Sequence, residues 1–286
     1  MSRARSFLAV ALAYAAALVV AALVVVALAG QPTWLTLLVA DVAATAVVFA
    51  FSVGHDNSSV YDPYWSVAPI AIAVWLVAHP SAAPVLRQAI VLGLVLAWGA
   101  RLTWNWARGW QGLGHEDWRY VAIRGRTGRA YWLVSWVGIH LMPTLWVYLG
   151  SLSLIPAIAT GAQPLGILDA LAFAVTAGAL AIETLADQQL RVFRLSGPPA
   201  GTILATGLWR WSRHPNYLGE IGFWWGLFLF ALAADRAWLA IAGPLAINVL
   251  FVAISIPLLD RRSIERRPAY ADHITKVPSL VPRPWR

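Results

Sequence analysis

Long apolar runs alternate with short polar breaks along almost the whole chain, and the runs set the number of elements. Residues 6–29, 34–53, 64–78, 85–106, 131–155, 165–186, 218–234 and 238–257 each read as one spanning helix. Crossing the ~30 Å hydrocarbon layer takes roughly 20 apolar residues in helical form, so only the third run is short. The runs are continuous, whereas barrel strands alternate apolar and polar positions over about ten residues. The pattern therefore predicts an all-α, polytopic helical membrane protein of about eight spans, or seven if the third run does not cross. Between them lie a loop at residues 54–63, a long polar stretch at 107–130, an uncharged turn at 156–164 and a basic, Pro-rich tail from 260 to 286. No repeat at a fixed period and no soluble segment of domain size is present, so residues 1–286 read as one domain.

Composition sharpens this picture. Of 286 residues 60% are hydrophobic and 12% charged, against roughly 45–50% apolar in soluble proteins. The absence of cysteine removes disulfides, thiolate catalysis and thiolate metal ligands. With the N-terminus placed in the cytoplasm, all of the 21 Lys and Arg residues except Arg87 and Arg236 fall on the cytoplasmic side. That is the positive-inside distribution. It accounts for most of the net charge of +8 without nucleic acid, and it predicts both termini inside. Arg3 and Arg5 precede a first run whose length favours a retained helix over a cleaved signal.

Candidate chemistry gathers on that side. Residues 207–220, GLWRWSRHPNYLGE, place two Trp, two Arg, a His, an Asn, a Tyr and a Glu between apolar runs. Polar groups at membrane depth are costly unless they are paired or bind something. An interfacial belt accounts for Trp209, Arg210 and Trp211, but less well for His214, Asn216 and Glu220. At the end of the fourth run Arg101, Trp104, Asn105 and Arg108 lie three, four and seven residues apart, on one helical face. Guanidinium forks in such a stripe suit a phosphate; snorkelling to headgroups is the competing account, and it fits Arg108 better than Arg101. On the sixth run Glu183 and Asp187 share a face, and Asp187 with Arg191 has the spacing of a plain helix ion pair. Asp41 and Asp169 lie near membrane depth, where each needs a donor from another helix. The six His are scattered with no metal-ligand spacing, so no metal site is expected. No Gly-x-Gly-x-x-Gly or P-loop occurs.

The run 207–220 resembles the C-terminal signature of the steroid 5-alpha-reductase and sterol-reductase superfamily, and more distantly that of isoprenylcysteine carboxyl methyltransferases. Glu183 to Arg194, ETLADQQLRVFR, is similar to the segment that precedes that signature. Asp62-Pro63-Tyr64-Trp65 and Glu116-Asp117-Trp118-Arg119-Tyr120 resemble a bacterial branch of largely unassigned activity. The likeness runs from about residue 55 to 286. It implies NADPH in a polar cavity open to the cytoplasm, lined by Asp187, Arg194, Arg213, His214, Asn216 and Tyr217, with Arg101, Asn105 and Arg108 on its phosphates. It also implies reduction of a polarised carbon–carbon double bond in a lipophilic substrate drawn from the lipids of a bacterial inner membrane. The family polarises an enone with a Glu and with a Tyr three residues before the fourth-span Arg. Here that second position is Trp98, whose indole N–H is no useful acid. The expectation is that Asp62 takes the Glu position and that Tyr61 or Tyr64 replaces the phenol. Two other readings stand beside this one: S-adenosylmethionine-dependent methylation of a lipophilic acceptor, and a non-catalytic lipid-binding protein. No protein partner is indicated.

Overall fold

The computed structural model describes residues 2–282; Arg283 and Arg286 of the basic tail lie outside the described residues. Eight helices are long and apolar enough to cross a membrane, and the described residues contain no strand. They are α1 (Arg3–Ala27), α2 (Thr33–Gly54), α3 (Tyr64–Ala78, entered through a 3-10 turn at Ser58–Tyr61), α4 (Val85–Gly109), α6 (131–151), α7 (Ile167–Leu195), α8 (Pro215–Asp235) and α9 (Trp238–Arg266). Two short helices complete the chain: α5 (Trp118–Thr127), which begins the continuous helical run Trp118–Thr160 that contains α6, and α10 (Tyr270–Lys276) in the tail.

The polar stretch 107–130 is therefore not all loop. Its middle forms α5, which Asp117 caps by accepting the Arg119 N–H, the usual role of an N-terminal Asp. The last span also runs nine residues past Pro257, to Arg266. A mid-helix proline lacks the N–H and crowds the carbonyl one turn back. Here Pro257 follows a π-helical turn at Leu250–Ser255, and Pro143 follows one at Ser135–Leu141. The wider turn makes room for each ring. A third π-helical turn, Ile155–Thr160, occupies part of the segment expected to be an open turn.

Cross-links sort the loops to two ends. At one end Arg3 donates to Ala107 O, Asn57 to Leu113 O, and Arg213 to the tail carbonyl of Ile274. At the other Ser81 donates to Ile158 O, Gln163 N to Ala234 O, and Arg87 to Gln163 O. The start of α1, the tail at Ile274 and nearly all the described arginines thus share one end, called the basic end below. Arg87, fully buried at the opposite end, forms a forked pair with Asp169 at 2.6 and 3.1 Å. Asp169 also accepts the Gly166 N–H and so caps α7. Its donor comes from another helix, as its depth in the sequence requires.

The core is centred on Trp98, which stacks on Phe223 with ring centroids 4.8 Å apart and meets Trp224 edge-on. Helices α7 and α8 approach closely where α8 carries glycines. A Cβ on Gly219 would stand 2.6 Å from Glu183 Cβ and 2.7 Å from Ala179 O. Gly219→Ala is expected to force these helices apart and cost about 1–3 kcal/mol, the usual range for overpacking. A lowered midpoint of thermal unfolding in detergent would register it; an unchanged midpoint would show that the backbones yield freely.

Candidate functional site

The signature folds as a turn, a strap and a helix start. Gly207 takes a φ of +58° and lies so close to Gln189 that a Cβ would sit 2.5 Å from its side-chain oxygen. That oxygen accepts the Leu208 N–H at 2.9 Å, and Trp209 Nε1 donates to Ala186 O at 3.0 Å. The turn is thereby pinned to α7. Ser212, Arg213 and His214 then run beside the tail, with Arg213 N donating to Pro278 O and His214 N to Ser279 O. Pro215 opens α8, where its missing N–H is harmless.

Arg213 and His214 both turn to Asp260. Arg213 pairs with it at 2.8 Å and His214 Nε2 meets it at 3.0 Å; Arg213 also donates to Ile274 O and Val277 O. The guanidinium expected to line the cofactor cavity is thus neutralised and holds the tail. Burial pushes the Tyr270 hydroxyl, which donates to Asp260, up to about 12, and the Asp260 charge adds to this. Burial, helped by the Arg213 and Arg267 charges, lowers His273 below the usual imidazole value.

Behind this strap lies a cavity of about 400 Å³ lined by Trp118, Arg194, Trp209, His214, Asn216, Tyr217, Arg262, Arg266 and Arg267, among others. A second cavity of about 340 Å³, lined by Asn105, Arg108, Asp187 and Arg191, shares Leu190 and Arg194 with it. Of the arginines lining the pair only Arg213 is ion-paired; Arg108, Arg191, Arg194, Arg262, Arg266 and Arg267 have no carboxylate partner among the described residues. Arg262 stacks on Trp118 at 3.4 Å, an orientation that cation–π attraction favours.

Arg101 lies behind the cavity wall instead of in it. It bridges α4 to α7 by pairing with both Glu183 and Asp187, the latter at 2.7 Å. Asn105 donates to the same Asp187 oxygen at 2.8 Å. The intrahelical Asp187–Arg191 pair suggested by spacing does not form, and Arg191 is left to line the second cavity. One position along α8 from Gly219, Glu220 accepts from Trp98 Nε1 at 3.0 Å and Trp224 Nε1 at 2.9 Å. Trp98 therefore serves as a donor that fixes a buried carboxyl, a use its indole N–H allows.

Asp62 has a phenol, but not one of those expected. Tyr61 OH bonds to Thr144 at 2.8 Å, and Tyr64 OH donates to Asp41 at 2.7 Å. The hydroxyl on Asp62 Oδ1 is that of Tyr120, at 2.7 Å. No spacing rule joins residues 58 apart; the only sequence signal was that Tyr120 ends the Glu116–Tyr120 run. That run clasps the 54–63 loop. Glu116 accepts the Ser58 N–H, Asp117 N donates to Ser59 Oγ, and Asn57 donates to the carbonyls of Leu113 and His115. Burial alone would raise the Asp117 carboxyl, but hydrogen bonds and charge from Arg119 outweigh it and hold the group below its ordinary range. Trp118 lines the larger cavity while Tyr120 holds Asp62, so α5 joins the two. Arg119, between them, is within electrostatic reach of Tyr217 in the cavity wall. No cluster of three metal-ligating side chains occurs among the described residues.

Fold and site together define a polytopic helical membrane protein whose polar machinery is gathered at the basic end. The chain belongs to the family described as protein of unknown function DUF1295, which it matches over residues 48–277. It is also similar to an uncharacterised protein of Schizosaccharomyces pombe, 30% identical over 268 residues that cover 83% of this chain and 76% of that one. No solved structure matches it.

Proposed function

We propose that the protein is an NADPH-dependent reductase of a polarised carbon–carbon double bond in a lipophilic, steroid-, sterol- or isoprenoid-like substrate. The observation that carries this reading is the ring of guanidinium groups without carboxylate partners around the paired cavities. Like charges crowded beside a bilayer repel one another unless a polyanion joins them. A dinucleotide phosphate presents its pyrophosphate and 2′-phosphate for that purpose, and guanidinium forks match both. The fit is tested by which groups carry no carboxylate: Arg194, Arg262, Arg266, Arg267 and Asn216 remain to hold it, although Arg267 also donates to Thr202 O and Ser263 Oγ, while Arg101 and Arg213 support the wall. A sulfonium cofactor would carry positive charge into the same ring, which disfavours S-adenosylmethionine.

Bound there, the reduced nicotinamide supplies hydride. The chain supplies the complementary proton. Asp62 and Tyr120 share a short hydrogen bond at the foot of α5 and can hold a proton toward the substrate oxygen, the arrangement that general acid catalysis needs. The positive-inside distribution supports an orientation with the basic end in the cytoplasm of a bacterial inner membrane, where NADPH is available, and the apolar substrate enters from the bilayer.

Titration of the purified protein with NADPH, NADH and S-adenosylmethionine, followed by thermal shift, tests the reading. NADPH is expected to stabilise most. Arg194→Ala and Arg267→Ala should each weaken it by roughly tenfold, about one charge-assisted hydrogen bond. Equal shifts in parent and variants would remove the cofactor assignment.

A further inference from the structure

The smaller of the two basic-end cavities lies between the final turns of α4 and α7. Asp187, Arg191 and Arg194 follow at helical spacing along one face of α7, and Asn105 and Arg108 along one face of α4. Arg108 and Arg191 line this cavity and not the larger one. Neither pairs with a carboxylate among the described residues, and the two cations are within electrostatic reach of each other. Arg194 lines both cavities.

Asp187 is the one carboxylate in this wall. Its Oδ2 is held by Arg101 and Asn105 at 2.7 and 2.8 Å. Its Oδ1 has no hydrogen-bond partner among the described residues and is not an enclosed atom; the side chain is 21% exposed. The wall therefore offers accessible guanidinium groups and, beside them, one open acceptor. The mouth is apolar. Leu195, part of the lining, is 71% exposed, and Trp104, one turn before Arg108, is 64% exposed. Large apolar side chains bared at the ends of two spanning helices sit at the depth of lipid headgroups and upper acyl chains. Basic pockets between spanning helices at that depth suit anionic lipid heads.

We infer that this cavity holds the head of an anionic phospholipid of the phosphatidylglycerol kind. Its phosphodiester lies on Arg108 and Arg191, a headgroup hydroxyl donates to Asp187 Oδ1, and the acyl chains leave past Leu195 and Trp104 into the bilayer. Guanidinium forks match the phosphate oxygens, and a hydroxyl supplies the donor that Asp187 lacks. A choline head has no donor. The ammonium of an ethanolamine head could reach Asp187, but it would cancel the phosphate charge beside several guanidinium groups. A soluble phosphate ester would leave Leu195 and Trp104 uncovered. This goes beyond the cofactor reading, because Arg108 and Arg191 are not among the groups assigned to the dinucleotide.

The test follows lipid binding to the full chain, purified in detergent and stripped of lipid, by native mass spectrometry with synthetic lipids of equal chain length. Phosphatidylglycerol is expected to bind roughly tenfold more tightly than phosphatidylcholine. Phosphatidylmethanol keeps the charge but lacks the headgroup hydroxyl, and should bind roughly threefold more weakly than phosphatidylglycerol. Arg108→Gln and Arg191→Gln should each weaken phosphatidylglycerol by about tenfold, one charge-assisted hydrogen bond. Arg126→Gln removes the same charge elsewhere at the basic end and should leave the affinity unchanged. If a variant fails to fold, the lipid series on the parent decides alone. The inference falls if phosphatidylethanolamine or phosphatidylmethanol binds as tightly as phosphatidylglycerol, or if Arg126→Gln costs as much as Arg108→Gln. It also falls if water-soluble glycerophosphoglycerol displaces the lipid at equal concentration, which would mark a free phosphate ester as the ligand. Displacement by NADPH would make the cavity part of the cofactor site and end the inference. A protein that shows these lipid preferences and binds no NADPH at all would uphold it and remove the cofactor reading.

Discussion

Arg101→Leu is expected to remove most of the stability of the bundle. Arg101 is largely buried, and among the described residues it is the only cation that pairs with both Glu183 and Asp187. Leucine keeps much of the packing volume but leaves two carboxylates on one face of α7, with Glu220 close by on α8. Breaking a buried pair by removing one partner costs about 3–5 kcal/mol, chiefly because the remaining charge has no solvent. Here one guanidinium serves two carboxylates, so the upper part of that range is expected. This is a large share of the ~5–15 kcal/mol that typically separates folded from unfolded domains. Low yield of monodisperse protein in detergent, or a sharply lowered unfolding midpoint, would register it. The double variant Arg101→Leu/Glu183→Gln discriminates further. If the loss comes from uncompensated charge, neutralising Glu183 recovers part of it; if it comes from lost packing, the second change adds to the damage. A parent-like midpoint in Arg101→Leu alone would show that the bridge contributes little.

That bridge also marks where sequence stops being informative. Helical period places Arg101, Asn105 and Arg108 on one face of α4, and the structure gives Arg101 and Asn105 a common partner in Asp187. Period also offered Arg191 as that partner, because i,i+4 pairs are the only contacts a single helix can announce. The competing cation came from another helix, and inter-helix register has no short-range code. The same holds for Asp62. Tyr61 and Tyr64 were neighbours in sequence, but the α3 entry turn aims one at Thr144 and the other at Asp41. The phenol that reached Asp62 came from α5, a helix lying within a stretch that read only as polar loop. Apolar run length, by contrast, depends on one segment at a time, and the eight spans were visible from it. The run past Pro257 was missed because a π-helical turn relieves the proline, and such turns leave no compositional mark. Arg213 read as a ligand group because its partner Asp260 lies in a tail that composition described only as basic and Pro-rich.

If Asp62 and Tyr120 deliver the proton, Asp62→Asn should lower the rate of reduction by roughly 10²–10⁴, the usual span for removing a general acid. The amide keeps the shape and can still accept from Tyr120, so the fold and the cavity should persist. Tyr120→Phe removes the donor of the 2.7 Å bond and should lower the rate by a smaller factor, because Asp62 itself remains. Tyr61→Phe and Tyr64→Phe, whose hydroxyls are engaged elsewhere, should retain most of it. The readout is single-turnover NADPH oxidation in nanodiscs supplied with a lipid extract of the expression host or a panel of lipophilic enones. NADPH affinity is measured beside it by thermal shift. Asp62→Asn with slowed oxidation and parent-like affinity places the residue on the chemical step. Loss of both in equal measure would instead make the Glu116–Tyr120 clasp a structural support for the cavity wall, since α5 carries Trp118 into that wall and Tyr120 onto Asp62. Parent-like oxidation in Asp62→Asn would end the assignment, and the short bond between Asp62 and Tyr120 would then be a tie between the 54–63 loop and α5.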